Sequence, residues 1–197
     1  MLARNSDRPT IARWAVFTAV MGLAALATFT GCPRDPESPS EGGEGLVNLS
    51  DPDSVLFQIQ VGVANGGITQ YLNAFTQDFT FNPDQVDSIT LSNQNPTVFD
   101  NWTLPVERDV MQLVFPSYVV RSITFAEQES TSVGSDNRLV TLRERYTLIL
   151  DSERYQGEAQ FDMVREASND WRIFHWQDRQ LGSDPDTTWG ILKGLNR

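Results

Sequence analysis

Val140-Thr141-Leu142-Arg143-Glu144-Arg145-Tyr146-Thr147-Leu148-Ile149-Leu150 decides the fold class. Its even positions are apolar except Glu144, and its odd positions are mostly polar. That period of two is what a strand imposes on side chains that point to alternate faces. The strand it predicts runs from Leu139 to Asp151. Three more stretches, Tyr118–Gln128, Tyr155–Glu166 and Trp171–Gln180, are equally long and rich in β-formers. Gly134-Ser135-Asp136-Asn137, Ser152-Glu153-Arg154 and Ser168-Asn169-Asp170 separate them. Connections this short make neighbouring strands pair antiparallel, as a meander.

Working back towards the N-terminus, the period changes. Ser50-Asp51-Pro52-Asp53 supplies a capping side chain, an early proline and acids for a first helical turn. Val55, Leu56, Ile59 and Val63 follow at helical spacing, and Asn65-Gly66-Gly67 stops the helix. Ile68, Tyr71, Leu72 and Phe75 predict a second short helix, and Phe79-Thr80-Phe81 a short strand ended by Asn82-Pro83-Asp84. Val86 to Leu91 is compatible with another short strand. A third helix starts at Pro105, with Val106, Val110, Leu113 and Val114 on one face, and ends at Pro116. Helices gathered on one face of an antiparallel sheet make an α+β domain.

Three segments carry a family resemblance. They are Tyr71-Leu72-Asn73-Ala74-Phe75-Thr76-Gln77-Asp78-Phe79-Thr80-Phe81, Trp171-Arg172-Ile173-Phe174-His175-Trp176-Gln177-Asp178 and Thr188-Trp189-Gly190-Ile191-Leu192-Lys193-Gly194. In that order they resemble the nuclear transport factor 2-like superfamily, over roughly residues 52–194. The resemblance implies a cone: a curved antiparallel sheet wrapped around N-terminal helices, with an internal cavity and a tendency to dimerise through the outer sheet face. The superfamily holds isomerases, dehydratases, polyketide cyclases, transport factors and many non-enzymes, so the likeness supplies no reaction.

Candidate site residues follow from parity. Glu144 shares the apolar face of its strand with Leu142 and Tyr146, and Arg121 shares one with Val119, Ile123 and Phe125. A buried carboxylate needs a partner or becomes neutral, and Arg121 is the natural partner if the strands are adjacent. Asp178 shares a face with Trp176 and Phe174. It reads either as a general base beside aromatics or as an acid paired with Arg179 or Lys193. Trp102, Tyr146 and Trp176 read as walls for a flat apolar ligand or simply as core. His175 is the single histidine, with no companion at metal-ligand spacing, so neither a metal nor a cofactor is expected. The net charge of −11 excludes nucleic acid as a partner, because phosphate contacts need clustered Lys and Arg.

Location is the clearest message. Arg4, Arg8 and Arg13 precede an apolar run from Trp14 to Phe29 that ends on Thr30-Gly31-Cys32, the layout of a secretory signal. Gly31-Cys32, the latter being the single cysteine, resembles the lipobox of bacterial lipoproteins. That resemblance implies cleavage before Cys32 and its acylation, although Phe29 stands where such boxes usually carry leucine. An uncleaved membrane span and a soluble secreted form cut near Ala27 are the alternatives. The expected organisation is a signal peptide over 1–31, a lipidated Pro/Ser/Gly/Glu tether over 32–45, and one domain over 46–197. The expected function is a non-catalytic binding or assembly module anchored in the bacterial cell envelope. The alternative is a cone that binds a small molecule and works as an acid–base isomerase or dehydratase.

Overall fold

A computed structural model of the chain describes residues 47–133, 137–182 and 188–197. The signal, Cys32 and the tether lie outside the described residues, as do residues 134–136 of the Gly134–Asn137 connection. The elements run α1 (Pro52–Asn65), α2 (Ile68–Leu72), β1 (Phe75–Asn82), α3 (Gln85–Ser92), α4 (Leu104–Ser117), β2 (Arg121–Val133), β3 (Leu139–Leu150), β4 (Glu153–Arg165), β5 (Trp171–Arg179) and α5 (Trp189–Leu195). The five strands form one curved sheet in the order β1-β5-β4-β3-β2. β2 to β5 pair antiparallel as the short connections require, and β1 closes the sheet by running parallel to β5. This is the α+β cone.

The local chemistry explains each boundary. Asp51 caps α1: its carboxylate accepts from the Ser54 amide at 2.8 Å. Gly66 ends the helix at φ 63°, a left-handed conformation that glycine adopts without steric cost. Asp151 turns β3 into β4 at φ 53°, and its Oδ1 accepts from the amides of Val119 and Val120 at 3.0 and 2.7 Å. The residues ahead of α1 are pinned too, because the Trp171 amide donates to the Leu49 carbonyl at 2.8 Å.

Three local expectations are corrected. Residues 85–92 form a helix rather than a strand, because Asp84 caps it by accepting from the Val86 amide at 2.8 Å. On α4 the buried stripe is Leu104, Glu107, Val110, Met111, Val114 and Phe115, so Leu113 faces water at 60 % exposure. In β5 a register shift falls opposite Asp162 and Met163. It lets Ile173, Trp176 and Asp178 all bury, while Phe174 and His175 stay half-buried. Phe174 therefore does not share the face of Asp178.

The Arg121–Glu144 pair is also corrected. Their strands are adjacent, but Arg121 lies opposite Leu150, six positions along β3 from Glu144. At the rise of a strand that is about 20 Å. Arg121 serves the helices instead: its Nε donates to the Val63 carbonyl at 3.2 Å, and its Nη1 donates to the carbonyls of Phe115, at 2.9 Å, and Tyr118. One guanidinium thus caps the C-terminal ends of α1 and α4. Arg121→Ala is expected to cost about 2–3 kcal/mol, as losing several charge-assisted bonds to partly buried carbonyls does. Arg143→Ala, which removes an exposed bond to Gln160, should stay within about 0.5 kcal/mol. Urea midpoints check both, and adding Glu144→Gln to Arg121→Ala should be additive.

Candidate functional site

The last helix builds the interior. Thr188 caps α5, its Oγ1 accepting from the Ile191 amide at 3.0 Å and donating to Asp87 Oδ2 at 2.6 Å. Trp189 and Lys193 are one turn apart and so share a face. Gly190 and Gly194 form a neighbouring row, where a Cβ would run into Asp87 at 2.8 Å or into Leu91 and Phe99. Small residues on that row bring α5 onto α3 and push Trp189 and Lys193 into the cone, where both are fully buried.

Lys193 is caged. Its ammonium lies 3.8 Å from the Phe81 ring centre, 3.7 Å from that of Trp176 and 5.4 Å from that of Trp189. Its counter-ion is Glu107 Oε1 at 3.0 Å, also fully buried. The same carboxylate accepts from the Tyr71 hydroxyl at 2.5 Å and from Trp102 Nε1 at 2.8 Å. Burial pushes the Lys193 pKa down, and the charges of Glu107 and Asp178 oppose it. Burial, with Glu107 adjoining, holds Tyr71 well above the ordinary tyrosine range.

A second polar cluster adjoins the first. Asp178 accepts from the Tyr146 hydroxyl at 2.9 Å and from the Gly190 amide at 2.7 Å. Tyr146 in turn accepts from the Trp189 amide at 2.7 Å. Burial raises the Asp178 carboxyl to about 7, against the pull of those donors and of Lys193. A carboxyl raised in the folded state contributes stability that is complete below the unfolded value near 3.9 and lost as pH climbs through 7.

The expected site residues therefore separate. Tyr146, Trp102 and Trp176 pack as core in the interior, and Asp178 is buried there bonded to Tyr146. Arg121 sits at the helix ends, and Glu144 lies in a groove beside α1. Asp178 is near Lys193, as one of its two readings had it, but its direct partners are Tyr146 and Gly190. Glu107 and Asp87 went unread. Glu107 could have been found as the one charge on the apolar stripe Leu104, Val110, Val114 of α4. His175 makes a 2.9 Å contact through Nδ1 with Thr80 on the outer part of β1. Among the described residues no three His, Cys, Asp or Glu side chains converge as a metal site. No helix among them is long and apolar enough to cross a membrane.

The fold has counterparts among solved structures. A nuclear transport factor 2-like protein of unknown function from Pseudomonas putida is 10 % identical, with a TM-score of 0.52 over 71 % of this chain and 90 % of that one. A candidate scytalone dehydratase from Novosphingobium aromaticivorans is 9 % identical, with a TM-score of 0.51 over 66 % of this chain and 81 % of that one. Bd1075 of Bdellovibrio bacteriovorus is 7 % identical, with a TM-score of 0.51 over 67 % of this chain but 40 % of that one. No family model matches the chain, and no curated protein matches it in sequence. At these identities the likeness is one of fold: the nuclear transport factor 2-like cone is shared by enzyme-like proteins and by proteins of unknown function.

Proposed function

We propose that the chain is a lipid-anchored, envelope-exposed module that binds or assembles and performs no chemistry inside its cone. One observation carries the second half of this reading. The interior, where a substrate would sit, is occupied by the Lys193 ammonium, its three aromatic rings and the Glu107 carboxylate. Four pockets lined by described residues, of about 150 to 330 Å³, have none of Lys193, Glu107, Trp176 or Trp189 in their walls. The anchor half rests on the leader and Gly31-Cys32. A second copy docking on the outer sheet face would meet Arg143, Arg145, Glu158 and Gln160, so a homodimer there would be polar; light scattering tests it.

The rival reading is an acid–base isomerase or dehydratase. Asp178 favours it, as a carboxyl near 7 hydrogen-bonded to a tyrosine. One experiment separates the two. The full chain is incubated in D2O with flat cyclic ketones, and deuterium uptake beside the carbonyl is followed. No uptake above background is expected. Uptake that Asp178→Asn abolishes would establish the enzyme and overturn the sealed cone. For the anchor, Cys32→Ser is expected to abolish labelling by a fatty-acid analogue and release the protein from membranes. Unaltered labelling would refute acylation.

A further inference from the structure

Glu144 poses a separate problem. It is 3 % exposed, and among the described residues it has neither a hydrogen-bond partner nor an ion pair. Such a carboxyl is relieved by taking up a proton, by water at the groove mouth or by a cation that enters the groove. It lines a groove of about 320 Å³ between α1, β2 and β3, together with Asp53, Leu56, Phe57, Gln60, Phe125 and Ala126. Phe57 stands at the rim, 54 % exposed. Burial and the negative charge of Asp53 raise the Glu144 carboxyl to about 7, which places the two acids within electrostatic reach of each other.

The walls select the ligand. A hard divalent ion wants six to eight oxygens, and this groove offers two carboxylates and an amide whose Nε2 is committed to the Ile123 carbonyl. Leu56, Phe57 and Phe125 are useless to a bare metal but suit a hydrocarbon stem. Aromatic faces also attract a cation. The volume is at the lower end for small-molecule sites and suits a short chain.

We propose that this groove binds a small primary alkylammonium ion, its stem laid against Leu56, Phe57 and Phe125 and its charge held by Glu144 with Asp53. The site lies outside the cone interior and stands whether or not the cone is catalytic. The inferred occupant is a free amine of about four to six carbons rather than a lysine carried on another protein.

The test is calorimetric titration of the full chain with n-hexylammonium, n-hexanol, hexanoate, calcium and a short lysine-bearing peptide. Hexylammonium is expected to bind, and hexanol and hexanoate at least tenfold more weakly. Glu144→Gln should lose about tenfold or more in affinity for the amine, the size of a charged hydrogen bond. Its urea midpoint at pH 8 should not fall, because the substitution removes a buried charge. Should that variant fail to fold, Asp53→Asn, at the exposed start of α1, should weaken the amine severalfold by removing the second charge. Equal binding of hexanol, undiminished affinity in both variants, tighter binding of calcium, or binding of the peptide without the free amine would each overturn the proposal.

Discussion

Glu107→Leu is expected to lower stability by about 3–5 kcal/mol, the usual cost of stripping one partner from a buried ion pair. Three groups lose their acceptor at once: the Lys193 ammonium, the Tyr71 hydroxyl and Trp102 Nε1. For a domain whose total stability is about 5–15 kcal/mol, that is a large fraction. The loss should depend on pH. Lys193 already has a lowered pKa, and without Glu107 it drops further. A lysine depressed in the folded state favours folding above its unfolded value near 10.4 and loses that contribution as pH falls through the folded value. The variant should therefore recover part of its deficit at alkaline pH. Adding Lys193→Met should recover more, since an apolar chain of similar length fits among Phe81, Trp176 and Trp189. Recovery will be incomplete, because Tyr71 and Trp102 remain unpaired at about 1–3 kcal/mol each. Urea midpoints with unchanged slopes give the comparison. A single substitution costing under about 1 kcal/mol would mean that the pair is open to water.

Trp176→Ala should be comparably severe, at about 3–5 kcal/mol. Trp176 is fully buried, with ring centres at 4.8 Å from Trp189, 5.1 Å from Phe161 and 5.5 Å from Phe81, and it forms one wall of the Lys193 cage. Its loss removes packing from three elements and a cation–π partner together. Added indole should bind the vacated space and raise the melting temperature of the variant but not of the parent. Leu113→Ala is the matched control: 60 % exposed, it should change stability by less than about 0.5 kcal/mol. Similar shifts for the two substitutions would place Trp176 outside the core.

Much of the fold was legible because long strands announce themselves. Alternation in Val140–Leu150 placed Glu144 inward correctly, since parity is local. What parity cannot supply is register. Arg121 and Glu144 interrupt the inner faces of neighbouring strands, yet they lie far apart along them, and only pairing across the ladder reveals it. Residues 86–91 mix Val, Ile and Thr with polar residues at both periods, so the deciding signal was the Asp84 cap just ahead. The shift in β5 defeated parity at Phe174 for a related reason: an inserted residue flips every face beyond it. The Glu107–Lys193 pair was the hardest feature to foresee. Glu107 interrupts the apolar stripe of α4, but nothing local to either residue names the other as its partner, and their burial is explained by their meeting across the cone.

That meeting also sets an order of events in the cell. The Asp87 carboxylate waits for Thr188, 101 residues downstream, and the Glu107 carboxylate waits for Lys193. A nascent chain emerges with an uncompensated acid at the heart of its future core and with no lid to close over it. The energetic reward for collapse arrives with α5, after the sheet has been synthesised. A polypeptide wired this way completes its buried charge pairing only when its last helix has been made.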